Sequence, residues 1–185
     1  MHHIFYNDFV FWGRAPEHDR VKNELLPVIE DLLPKTADKN NWVCKVNTEF
    51  FSKHEGIEKY TDLVVSNIYP VLDKFFEELT FLNVPKESKV VEIWYNHYSP
   101  GHYQEVHSHT SRMDISGIYL LKLDEVNKTA FYSYATTNTK LSHPVKHVTE
   151  AKEGDIILFP SHLSHYVLPC ENTRVSVAFN IRCEF

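Results

Sequence analysis

The sequence predicts an α+β protein in which N-terminal helices buttress a jelly roll, and three observations carry that expectation. Apolar residues recur at helical spacing up to about residue 90 and at strand spacing after it. The later half breaks into about eight short β-rich runs divided by turn residues, the strand number of a jelly roll. The 185 residues show no repeat, low-complexity tract or linker, so one domain is the simplest expectation, with 1–89 mainly helical support and 90–185 the jelly-roll core.

Taken in order, Ile4 to Trp12 alternates aromatic and polar residues and suggests a strand added to the edge of the main sheet. Pro16 suits the first turn of a helix, and Val21, Leu25, Val28, Ile29 and Leu32 then share one helical face. Pro27 lacks the N–H that a helix interior uses, so two short helices or one kinked helix are expected. Lys35 to Asn41 is polar and reads as a loop, and Trp42 to Asn47 as a short extended segment. From His54 to Leu82, Ile57, Tyr60, Val64, Ile68, Val71, Leu72, Phe75, Phe76 and Leu79 form the stripe of a long amphipathic helix bent at Pro70. Such a stripe is core against a sheet rather than a cofactor site. Strands are then expected at Val90–Tyr98, around His107, and at Ile115–Leu121, Thr129–Tyr134, Val145–Val148, Asp155–Phe159, His165–Leu168 and Arg174–Arg182.

Composition narrows the function classes. A net charge of −6 with scattered Lys and Arg argues against nucleic acid as a partner. Cys44, Cys170 and Cys183 are widely spaced, odd in number and free of any C-x-x-C pair, which fits neither a disulfide framework nor a zinc ribbon and suits a reducing cytoplasm. No apolar run reaches bilayer length, and Met1 to Asp8 lacks the basic start and apolar core of a signal peptide, so a cytoplasmic protein without membrane contact is expected.

Two stretches carry chemistry. In the first, His107 and His109 stand at i and i+2, which on a strand places both imidazoles on one side of the pleat, where a single metal ion can hold them. In the second, Gly154-Asp155 turns the chain into a buried strand ending at Phe159-Pro160, and His165 follows just beyond. A jelly roll brings that segment near His107 and His109, and three ligands on one face leave open the positions that iron oxygen chemistry requires. Nine residues later, alternation puts Arg174, Ser176 and Ala178 on one strand face. A buried guanidinium calls for an anion, and with no acidic residue on that strand a ligand carboxylate is the natural partner. Asn180 shares the face and can hydrogen-bond near the metal pocket or satisfy backbone. His-x-His alone arises by chance among 12 histidines; its combination with His165 and Arg174 points to a site. His97, His102, His143, His147 and His162 read as surface or satisfied residues, and Tyr103, Tyr119 and Phe131 as core or pocket wall.

These motifs, His-x-His, Gly-Asp-x-x-x-Phe-Pro and His-x-Val-x-Pro-x-x-x-Thr-Arg-x-Ser, preceded by Tyr98-x-x-Gly101, resemble the iron(II)- and 2-oxoglutarate-dependent dioxygenases. The similarity is to the prolyl-hydroxylase-like branch and related oxygenases of bacteria and phages, and it spans roughly Val90 to Phe185. It implies a double-stranded β-helix of cupin-like form, iron(II) held by His107 and His165 with a third ligand beside them, and 2-oxoglutarate as cosubstrate with O2. It further implies that Arg174 binds the far carboxylate of 2-oxoglutarate, helped by Ser176 or Tyr98. The implied reaction hydroxylates a C–H bond, on a prolyl or other peptidyl residue or on a small molecule, while 2-oxoglutarate is decarboxylated to succinate.

In one respect the chain departs from the family, whose commoner pattern is His-x-Asp, because position 109 is histidine. Asp114 is the candidate carboxylate, at a spacing that also resembles the acidic ligand of cupins. Either three histidines bind the metal with Asp114 outside, the favoured arrangement, or Asp114 replaces or joins His109. Two other functions stand beside the oxygenase: a three-histidine cupin dioxygenase that oxidises a thiol without 2-oxoglutarate, and a non-catalytic jelly-roll binding protein.

Overall fold

The computed structural model describes residues 8–36, 44–50, 60–79, 83–109, 114–124, 126–133 and 145–185. Ten strands and two helices follow in the order β1 (Phe11–Arg14), α1 (His18–Thr36), β2 (Asn47–Thr48), α2 (Thr61–Glu78), β3 (Glu87–Tyr98), β4 (Gln104–His107), β5 (Ile115–Leu123), β6 (Thr129–Ser133), β7 (Val145–Val148), β8 (Asp155–Pro160), β9 (Ser164–Val167) and β10 (Arg174–Glu184). All strand pairs are antiparallel and form two sheets, β1-β8-β5-β10-β3-β2 and β4-β9-β6-β7. The eight expected C-terminal strands are present, within a few residues of the expected bounds. The opening strand is at the sheet edge as expected but begins at Phe11 and runs to Arg14. Ile4 to Tyr6, Asn41 and Trp42, Ile57, Leu82, Tyr134 and His143 lie outside the described residues.

Strand alternation decides which side chains meet the helices and which face the second sheet. On β10, Val175, Val177, Phe179 and Ile181 join Tyr95 of β3, Tyr119 and Leu121 of β5, and Ile156 and Leu158 of β8 in one core. The helices close that core with Val21, Leu25 and Ile29 from α1 and Val64, Ile68, Val71, Leu72 and Phe75 from α2. Between the sheets lies a second apolar cluster of Ile118, Leu120, Phe131, Ile157, Phe159 and Leu163. The central strands are thus buried on both faces, which is why β5 and β8 read as nearly continuous apolar runs.

Each helix contains a proline yet runs on through it: Pro27 lies inside α1 and Pro70 inside α2. Both prolines are exposed, so each points away from the core and the carbonyl it leaves unbonded one turn earlier can accept a hydrogen bond from water. Burial of the opposite stripe holds each helix together. The polar member of α2's stripe, Asn67, is also accounted for: its Oδ1 accepts the N–H of Glu17 at 2.7 Å and its Nδ2 donates to Leu63 O at 3.0 Å, tying α2 to the start of α1. Among the described residues, no helix is long and apolar enough to cross a membrane. All three cysteines are free and buried.

Candidate active site

Between the sheets, beside the second apolar cluster, lies a cleft open at its mouth. The six-stranded sheet lines it with Trp94, Asn96 and Tyr98 of β3, Ile118 of β5, and Arg174, Ser176 and Ala178 of β10. The four-stranded sheet and its connections contribute Gln104, His107, His109, His165 and Val167.

The ligating atoms of His107, His109 and His165 lie within 4.8 Å of one another. His107 ends β4 and pairs directly with His165 of β9, and their rings stand 4.2 Å apart between centroids. His109 arrives differently from the i, i+2 strand expectation, because β4 stops at His107. Its position is set by a backbone hydrogen bond from its N–H to Ser161 O at 2.8 Å, which leaves its ring 5.3 Å from that of His165.

In all three imidazoles Nδ1 is engaged by an acceptor, which decides where the ring proton sits. His107 Nδ1 donates to Glu105 O at 2.8 Å, His165 Nδ1 to Leu163 O at 2.9 Å, and His109 Nδ1 to Asn180 Oδ1 at 2.7 Å. Each ring therefore keeps its Nε2 lone pair for the common centre, the arrangement a metal-binding histidine needs. Burial reinforces it. Desolvation lowers the pKa of His107 to about 4, with His109 adding to the shift and the Glu105 carbonyl opposing it. His165 is held well below its ordinary value, first by desolvation and then by His107. Three imidazoles gathered in one place, partly walled by Phe159 and Phe131, fit a divalent transition metal such as iron(II).

Asp114, the other candidate ligand, is placed elsewhere. It is exposed, its carboxylate accepts the N–H of Cys183 at 2.8 Å, and its backbone bridges Ile181 O and the N–H of Ser161.

Arg174 is fully buried on the cleft wall. It donates to Asn127 Oδ1 at 3.2 Å and Thr129 Oγ1 at 2.7 Å, and it lies 5.5 Å from the centre of the Tyr98 ring. Tyr98 donates its hydroxyl proton to Gln104 Oε1 at 2.6 Å, and burial raises its pKa, so it stays a phenol. That bond turns the Gln104 amide nitrogen towards His107 Nε2, 3.4 Å away. The expected site residues His107, His109, His165, Arg174, Ser176 and Tyr98 therefore line one cleft. Trp94 and Asn96 went unnoticed in the sequence, although they precede Tyr98 at strand parity. Gln104, three residues before His107, carries no comparable signal.

One family model matches the chain. Residues 92–180 fit the family model described as "Putative 2OG-Fe(II) oxygenase", a span that runs from β3 to β10 and holds all three histidines and Arg174. Over that span the chain is similar to the 2OG-Fe(II) oxygenase family. It is an enzyme of the 2-oxoglutarate-dependent oxygenase class. Solved structures resemble this oxygenase along nearly its whole length. A prolyl-4-hydroxylase from Pseudomonas putida is 16% identical, covers 95% of this chain and 93% of its own, and superposes with a TM-score of 0.60. The viral collagen prolyl hydroxylase of Paramecium bursaria Chlorella virus-1, in a 2-oxoglutarate complex, is 13% identical over 96% of this chain and 97% of its own, with a TM-score of 0.57. A prolyl hydroxylase from Trichoplax adhaerens, bound to a peptide fragment of hypoxia inducible factor, is 10% identical over 92% of this chain and 82% of its own, with a TM-score of 0.64. At these identities the likeness speaks for the fold. No curated protein matches the chain by sequence.

Proposed function

We propose that this oxygenase is an iron(II)- and 2-oxoglutarate-dependent hydroxylase of C–H bonds, with a peptidyl residue, prolyl foremost, as its substrate class. The observation that carries the reading is that ligand atoms of His107, His109 and His165 lie within 4.8 Å of one another in a cleft whose wall also holds a buried guanidinium. The strand order supports a double-stranded β-helix as its frame. Chain order passes from one sheet to the other at every step from β3 to β10 except β6 to β7, giving β3-β10-β5-β8 facing β4-β9-β6-β7. We take 1–185 as one domain, with the helices as its support. Free, buried cysteines suit a reducing, cytoplasmic setting.

His107, His109 and His165 would hold iron through Nε2, with Asp114 outside the ligand set and engaged with the Cys183 N–H. Bound iron(II) with 2-oxoglutarate supplies O2 activation coupled to loss of CO2, so that substrate C–H, O2 and 2-oxoglutarate become C–OH, succinate and CO2. Arg174 would receive the far carboxylate of 2-oxoglutarate, since its planar fork matches a carboxylate and its charge is permanent. Ser176, beside it on β10, and Tyr98, stacked against it, would fix the orientation. Ile118, Phe159 and Val167 keep the wall dry, while Trp94 and Asn96 flank the space where substrate would approach. Three of the similar structures are named as prolyl hydroxylases, which favours a peptidyl substrate, while two others are named as a carbocyclase and an epimerase of nogalamycin biosynthesis.

The test is turnover. Iron-loaded protein with 2-oxoglutarate, O2 and a library of proline-containing peptides should release succinate and add 16 mass units to a subset of peptides. The all-histidine ligand set favours one rival, a thiol dioxygenase. Oxygen consumption with a small thiol and no succinate would establish that rival instead.

A further inference from the structure

The carboxylate that a two-histidine, one-carboxylate site gives directly to iron is missing here, yet a carboxylate stands two hydrogen bonds behind His109. Register explains how. Asn180 of β10 pairs with Glu92 of β3 on one side and with Ser116 of β5 on the other, so the three side chains form one row across the six-stranded sheet. Asn180 Nδ2 donates to Glu92 Oε2 at 2.6 Å. A carboxylate accepts only, so Glu92 settles the amide's orientation and turns Asn180 Oδ1 towards His109. That oxygen accepts the His109 Nδ1 proton at 2.7 Å and the Ser116 hydroxyl proton, also at 2.7 Å. Ser116 Oγ lies 3.0 Å from His109 Nδ1 and 2.9 Å from Ser161 Oγ, and Ser161 O holds the His109 backbone. Asn180 and Ser116 are buried, whereas Glu92 reaches the surface.

We propose that Glu92, acting through Asn180, is a positioning residue that supplies the negative charge the His109 ligand lacks. The inference rests on the iron reading above. The chain Glu92–Asn180–His109 fixes the ring proton on Nδ1, keeps Nε2 aimed at the metal and polarises the imidazole towards it. Outer partners of this kind typically change metal affinity about 10- to 100-fold when removed. Glu92 touches neither metal nor cosubstrate, and its place in the family span gives no hint of a role; only the register of β10 against β3 does.

Two measurements on the full chain test this. The first needs no metal: long-range 1H–15N correlation spectra at pH 8 read which ring nitrogen of His109 carries its proton. Wild type should show Nδ1–H, and Asn180→Leu a mixture of both tautomers. Wild-type His109 protonated mainly on Nε2 would overturn the proposal, as would Asn180→Leu with an unchanged tautomer. The second is anaerobic iron(II) binding without 2-oxoglutarate. Glu92→Gln should bind iron at least about tenfold more weakly than wild type. Asn180→Asp should also weaken binding, because it sets two carboxylates side by side. The double variant Glu92→Gln/Asn180→Asp should recover wild-type affinity, since the amide introduced at position 92 can donate to the carboxylate introduced at position 180, which then accepts directly from His109. Glu92→Gln at wild-type affinity, or a double variant no better than either single one, would overturn the proposal. Wild-type protein that binds no iron would instead remove the iron reading, while the tautomer spectra would still decide whether the relay exists.

Discussion

Replacing Arg174 with alanine should separate cosubstrate binding from metal binding. The guanidinium is fully buried and lies beside the Tyr98 ring, so a carboxylate meeting it there does so largely out of water. A hydrogen bond to a charged group contributes about 1.5–3 kcal/mol, and a bidentate carboxylate contact contains two. Water entering the vacated space recovers part of that, leaving about 3 kcal/mol, or roughly a 150-fold weaker Kd for 2-oxoglutarate. Iron affinity should move by less than about threefold, because the bonds that orient the triad run to Glu105 O, Leu163 O and Asn180 Oδ1, none of which involves Arg174. The truncation also strands Asn127 and Thr129, its hydrogen-bond partners, so Arg174→Lys serves as a second variant. Lysine keeps the charge without the fork and should fall between the two. Anaerobic calorimetry of iron-loaded protein gives both constants. An alanine variant that retains iron and binds 2-oxoglutarate within about threefold of wild type would refute the assignment.

Three further outcomes follow from the packing and the titrating groups. The pKa values of His18, His97, His102, His107 and His165 are all lowered, chiefly by desolvation. The unfolded chain therefore takes up protons first, and stability present above about pH 6.5 should be lost as pH falls below it; a urea midpoint for metal-free protein that does not drop between pH 7.5 and 5.5 would contradict this. Gly117 faces Phe179 across the β5–β10 pair so closely that an added Cβ would land on the ring. Gly117→Ala should cost about 1–3 kcal/mol, lowering Tm by roughly 2–12 °C, and an unchanged Tm would mean the ring has another place to go. Phe75, fully buried in α2 with ring contacts to Phe9, Phe11 and Phe76, should cost about 3–5 kcal/mol when cut to alanine, read as a shifted denaturation midpoint with an unaltered slope.

The sequence made the frame legible because alternation is a local property. Arg174, Ser176, Ala178 and Asn180 had to share a face once β10 was recognised, and they do. His165 opposite His107 was legible only through the motif spacing. What escaped is decided between distant segments. No local pattern says that β4 ends at His107, that Ser161 holds the His109 backbone, or that Asn127 and Thr129 meet Arg174 from 47 and 45 residues away. The effect of Pro27 and Pro70 was open for a related reason: the rule against a helix proline is local, while their placement on the solvent side depends on what packs behind. Asp114 matched a ligand spacing, but its carboxylate meets the Cys183 N–H, a contact set by how the start of β5 abuts the end of β10.

The central claim is that three histidines hold one iron in a cleft that also takes 2-oxoglutarate. Anaerobic titration of iron(II)-loaded protein with 2-oxoglutarate, following the weak visible charge-transfer band of the chelate, tests it most directly. The account predicts a band that saturates at one iron and one 2-oxoglutarate per chain, absent in His107→Ala and His165→Ala but preserved in Asp114→Asn. Failure of wild type to develop the band, or a band that survives loss of either histidine, would contradict it.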